Sequence, residues 1–158
     1  MTDRDRPLRE QLARLLDGRG AHVDVDTAIG KLSFADVSKK PEGSPWTLWE
    51  VFEHLRIAQE DIVEFSRNAD HQSPAFPKGY WPSGAAPKDS DAWEQSVVSF
   101  GRDLAAMKAV VLDPEIDLHA KIPHGDGQTI LREAMLIADH NAYHLGQMVL
   151  MIKMLGLW

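Results

Sequence analysis

Apolar residues recur at helical spacing along most of this chain, and nowhere do they alternate convincingly as a half-buried strand requires. Leu8, Leu12, Leu15 and Leu16 predict a first helix over 7–17, with Pro7 suited to its first turn and Gly18 and Gly20 stopping it. A short second helix is expected over 24–32, its pattern diluted by Gly30 and by Val23 and Val25. The signal from Thr47 is clearer. Thr47-Leu48-Trp49-Glu50 reads as a capping box, in which hydroxyl and carboxylate satisfy orphan backbone amides reciprocally. Leu48, Val51, Phe52, Leu55, Ala58, Ile62 and Phe65 then lay one apolar stripe on a helix reaching about Ala69. Trp93, Val97, Phe100, Leu104, Met107 and Val111 step by fours and threes through 91–112, and Asp113-Pro114 ends that run. A last helix runs from near Thr129 to about Leu155, with Ile137, Met148, Ile152 and Leu155 on its stripe. Four principal amphipathic helices predict an all-α fold, an antiparallel four-helix bundle.

Between the second and third strong helices lies the segment Asp70 to Ser90, with Pro74, Pro77, Pro82 and Pro87 and, among them, Phe76, Tyr80 and Trp81. A connection this long is usually functional or docked, and two readings stay open: a pocket wall, or aromatics packed over the end of the bundle.

Composition narrows the chemistry. The 158 residues contain no Cys, which removes disulfides, thiolate metal sites and cysteine nucleophiles. The net charge of −7 argues against a general nucleic-acid binder, which needs a basic field to meet phosphates. Met1 to Glu10 is almost wholly polar, and no apolar run approaches the roughly 18 residues that suggest a membrane span. The expectation is one cytoplasmic domain over 1–158, with a small-molecule substrate and neither nucleic acid nor membrane as partner. The apolar end Met154-Leu155-Gly156-Leu157-Trp158 either folds back on its own bundle or enters a dimer interface.

Seven histidines stand at 22, 54, 71, 119, 124, 140 and 144. His140 and His144 are four apart in the last helix, hence about 40° apart around its axis and about 6 Å along it, so both rings can meet one point. They also continue the stripe of Ile137, Met148 and Met151 into the bundle. A buried polar ring without a partner costs on the order of 1–3 kcal/mol. Taken alone, the pair is better explained by two core histidines bonded to backbone or carboxylate groups than by metal ligation. His54 lies beside Val51 and Ala58 at the edge of its own stripe. Facing helices approach within about 8–10 Å, so His54 and the pair can form a three-nitrogen site with open positions. Glu50, Asp139 and Gln147 are candidates to orient those imidazoles from outside. Glu50 already has a capping role that competes. Tyr80 and Trp81 are candidate pocket residues, and the other four histidines read as loop residues.

Glu53-His54-Leu55 on one helix and Asp139-His140-Asn141-Ala142-Tyr143-His144-Leu145-Gly146-Gln147 on the last resemble the DinB/YfiT-like superfamily, which is distinct from the DNA polymerase sharing the DinB name. The resemblance takes in the Pro/Trp-rich middle connection and the Gly125-Asp126-Gly127-Gln128-Thr129 lead into the final helix. It implies a bundle of four main helices and a divalent ion on His54, His140 and His144, most often zinc or nickel, with manganese or iron as alternatives. It also implies a homodimer. An ion with open positions can lower the pKa of bound water or activate a thiolate. The resemblance therefore points to a thiol-dependent S-transferase or isomerase using a low-molecular-weight thiol, or to a metal-dependent hydrolase. The alternative is a non-catalytic metal- or ligand-binding module of a stress response. The sequence assigns no catalytic residue beyond these ligands.

Overall fold

In a computed structural model, which describes residues 5–158, the chain is all-helical: α1 (Arg6–Leu16), α2 (Val25–Ile29), α3 (Leu48–Arg67), α4 (Ser90–Leu112) and α5 (Ile130–Met154). The helix starts are built by short polar side chains. Asp24 caps α2 by accepting from the Thr27 amide, Asp89 caps α4 through Ala92, and Thr129 caps α5 through Arg132. Thr47 and Glu50 form the expected capping box at α3. The second helix is shorter than expected, because Gly30 ends it. Among the described residues there is no strand, only an isolated bridge between Lys121 and Thr129. None of the described helices is long and apolar enough to cross a membrane.

The α3 helix packs on both α4 and α5, and α1 closes over α4 and α5. The apolar interior falls into two clusters. One gathers Leu12, Leu16, Val63, Met107, Val111 and Ile137, and the other Phe52, Leu55, Phe100, Leu145, Met148 and Ile152. On α3 the division falls between Leu55 and Val63, and on α5 between Ala138 and Leu145. Polar residues occupy that gap. The buried Gln59 amide donates to the Phe100 carbonyl at 2.7 Å and accepts from Asn141 Nδ2 at 2.8 Å, so one side chain links α3, α4 and α5. A polar layer of this kind fixes the register of the helices it joins, because any slip strands buried donors. The histidines of interest lie at this level.

Arg9 is 5% exposed, and no apolar pattern predicts that. Its guanidinium donates to the carbonyls of Val111, Asp113 and Ile116 at 2.5–2.8 Å. The cation thus meets carbonyls of the last turn of α4 and of the turn that follows it, where the helix dipole also favours positive charge. At the chain's end, Leu155 and Leu157 pack against the second apolar cluster, so the apolar terminus folds back on its own helices. Lys31 and Lys153 sit over the Trp158 ring.

Candidate metal centre

The cap at Thr47 sets the phase of α3, and His54 follows two turns later, facing α5. On α5, His140 and His144 lie one turn apart, as the i,i+4 spacing dictates. The three rings meet. His54 Nε2 is 3.2 Å from His144 Nε2 and 3.1 Å from His140 Nε2. His54 and His144 are each 8% exposed, and His140 is half-buried.

The outer nitrogens decide what the inner ones carry. His54 Nδ1 donates to the backbone carbonyl of Tyr80 at 2.7 Å, and a carbonyl can only accept. His144 Nδ1 donates to Gln147 Oε1 at 2.8 Å. In a neutral imidazole one nitrogen holds the proton and the other a lone pair. His54 and His144 therefore both aim Nε2 lone pairs into the same gap, and no hydrogen bond can form between them. His140 can donate one proton to a single neighbour and no more. Burial also keeps the cluster uncharged. His140 is pushed down to about 4, mainly by burial and further by His144 and His54. His54 and His144 move the same way, burial outweighing the opposing pull of their hydrogen bonds.

Two lone pairs turned on each other, with a third imidazole nitrogen beside them, suit a cation. Bonds of about 2.0–2.1 Å at tetrahedral angles put zinc-bound nitrogens about 3.3 Å apart, close to the separations seen here. Among the described residues, this is the cluster of ligand-type side chains that could hold a metal ion.

Of the three outer residues considered from sequence, the structure brings Gln147 to the cluster. Glu50 accepts from the Thr47 amide at 2.8 Å within the helix cap, and Asp139 lies exposed on α5. The largest support for His54 comes instead from the connection between α3 and α4. A short 3-10 turn, Lys78–Tyr80, presents the Tyr80 carbonyl to Nδ1. The next residue, Trp81, stacks flat on the imidazole at 4.1 Å and 3°, and Trp46 stacks on Trp81 at 4.1 Å.

That connection is tied down by a residue that pattern reading missed. Buried Asp61 accepts from the Tyr80 hydroxyl at 2.6 Å and bonds His71 Nε2 at 2.7 Å. His71, read from sequence as a loop residue, is thus part of the clamp. Thr47 Oγ1 adds a bond to the Ala85 carbonyl at 2.8 Å. The signal for Asp61 was its spacing: seven residues after His54, it projects from nearly the same face of α3. His124 donates to the Phe65 carbonyl at the other end of the helix, His22 bonds the Val23 carbonyl, and His119 is exposed.

Because Asp61 acts on His54 only through Tyr80, Asp61→Ala is expected to weaken zinc affinity about tenfold without removing a ligand, as loss of outer support typically does. Competition against a chromophoric chelator measures this, and unchanged affinity would show that the clamp does not position His54.

The sequence profile of the DinB superfamily matches residues 19–148, a span that includes His54, His140, His144 and the connection over them. No curated protein and no solved structure matches the chain.

Proposed function

The chain belongs to the DinB superfamily, and from that premise we propose that it is a divalent-metal-dependent enzyme with His54, His140 and His144 as the ligands. We read its four long helices as one antiparallel bundle that holds these ligands in its polar layer. The observation that carries this reading is the pair of Nε2 lone pairs, on His54 and His144, turned toward each other at 3.2 Å while both Nδ1 protons point outward. Without a cation that arrangement is repulsive, and with one it is a set of neutral donors ready to bind.

When bound, such an ion supplies Lewis acidity and lowers the pKa of a thiol or water placed on it. The chain's own residues do the rest. The Tyr80 carbonyl and Gln147 fix which nitrogen of each imidazole faces inward. The Trp46–Trp81 stack keeps water from one face of His54. A cavity lined by Tyr80, Trp81, His54 and His140 offers a small molecule direct access to two of the three ligands. That cleft favours catalysis over storage. Thiol-dependent S-transfer or isomerisation is the reaction class proposed, with metal-dependent hydrolysis as its competitor, and zinc or nickel is the proposed ion.

Zinc-loaded protein, given a small thiol with an activated aryl halide and separately an activated ester, is expected to accelerate the thiol reaction more. Chelation should abolish the turnover, and zinc or nickel should restore it. If the ester is turned over instead, the chemistry is hydrolytic. A loaded protein that turns over neither is the binding module.

A further inference from the structure

The cavity beside the histidines measures about 250 Å³. An apolar cavity of about 150 Å³ accommodates benzene, so this space suits one aromatic ring with a short attachment. Ala58, Ile62, Leu136, Phe76 and Trp81 supply apolar walls. Apart from the histidines, the polar side chains lining it are Asp61 and Tyr80, and these bond each other. The second Asp61 oxygen is taken by His71. Apart from the histidines, no lining side chain is therefore left to donate to an anion, and the Asp61 carboxylate in the wall opposes one. An anionic group moved into such a space gives up hydration without compensation. Phe76 adds a separate indication. It lines the cavity yet is 88% exposed, so an apolar occupant would cover a ring now facing water.

We propose that this cavity takes a neutral, apolar substituent of about the size of one aromatic ring, carried by a substrate whose donor atom meets the histidine nitrogens. The proposal rests on the metal reading above and names the substrate class for it.

Three hydroxamates test it by calorimetry on zinc-loaded protein: acetohydroxamate, benzohydroxamate and 4-carboxybenzohydroxamate. All three offer the same metal-binding group. Benzohydroxamate is expected to bind at least about tenfold more tightly than acetohydroxamate, from apolar burial alone. The carboxylated probe should lose that gain. Phe76→Ala, at an exposed position, should lower the ratio of the first two affinities. Equal affinities for the aryl and methyl probes, or tighter binding of the carboxylated one, would overturn the proposal and leave the metal centre standing. Failure of any hydroxamate to bind loaded protein would also overturn it. Failure of the protein to take up zinc would instead overturn the metal reading beneath it.

Discussion

Replacing His144 by alanine is expected to weaken zinc binding about 100- to 1000-fold while leaving the metal-free protein folded. The first figure follows from structural zinc affinities of roughly 10–16 kcal/mol shared over four ligands, or about 3–4 kcal/mol each. The second follows from the geometry. His144 is buried, and truncating a buried aromatic side chain usually costs about 3–5 kcal/mol. Here the same truncation removes a desolvated imidazole and a lone pair facing that of His54 at 3.2 Å. A cost below about 2 kcal/mol in chemical denaturation of metal-free protein is the expected result. A structural histidine behaves in the opposite way: its loss lowers stability by several kcal/mol and leaves metal affinity where it was. The two readings therefore exchange outcomes in one pair of measurements.

Loading with zinc should raise the midpoint of thermal unfolding by about 10 °C, and the gain should vanish in acid. Free metal at 1000 times its dissociation constant stabilises the native state by about 4 kcal/mol, and each kcal/mol shifts a domain of this size by about 2–4 °C. Its pH dependence has a definite sign. Burial holds His140 at about 4 in the folded protein against 6.5 for an ordinary histidine. As pH falls through 6.5, the unfolded chain takes up a proton that the native state refuses until about 4. Metal-free protein therefore loses stability across that window, by up to about 3 kcal/mol from this group, and the loss levels off below it. Protons compete for the same nitrogens, so bound metal should persist at pH 6 and leave as pH approaches 4. Differential scanning fluorimetry from pH 4 to 8, with and without zinc, measures both effects. His140→Gln should flatten the metal-free slope. A zinc shift that does not change between pH 7 and 4 would place the metal elsewhere.

The helices were legible because their signals are local. The Thr47–Glu50 capping box, the α4 stripe from Trp93 to Val111 and the stop at Asp113-Pro114 each lie within a few turns of one helix. The i,i+4 pair on α5 was legible for the same reason. What completes the site is not local. His54 is fixed by the backbone carbonyl of Tyr80, and every residue has a carbonyl, so no side-chain pattern singles it out. Trp46 lies before α3 and Trp81 far beyond it, and only the folded connection stacks them. Outer partners were readable where helix geometry constrains them. Gln147, three residues after His144, shares its face, whereas Asp139 is turned about 100° from His140 and faces water. Glu50 is held by the cap. Arg9 shows the same limit in the fold: a charged residue on an amphipathic helix reads as exposed until the end of α4 and the turn after it supply three carbonyls.

X-ray absorption at the zinc edge of the loaded protein tests the metal centre most directly. The account predicts about one zinc per chain with three imidazole nitrogens at about 2.0–2.1 Å and one or two oxygen donors from solvent. His54→Ala should lose one imidazole or fail to hold the ion. A shell of carboxylate and water oxygens without imidazole, or no zinc retained by folded protein at neutral pH, would contradict it and return the three histidines to the role of packed polar residues.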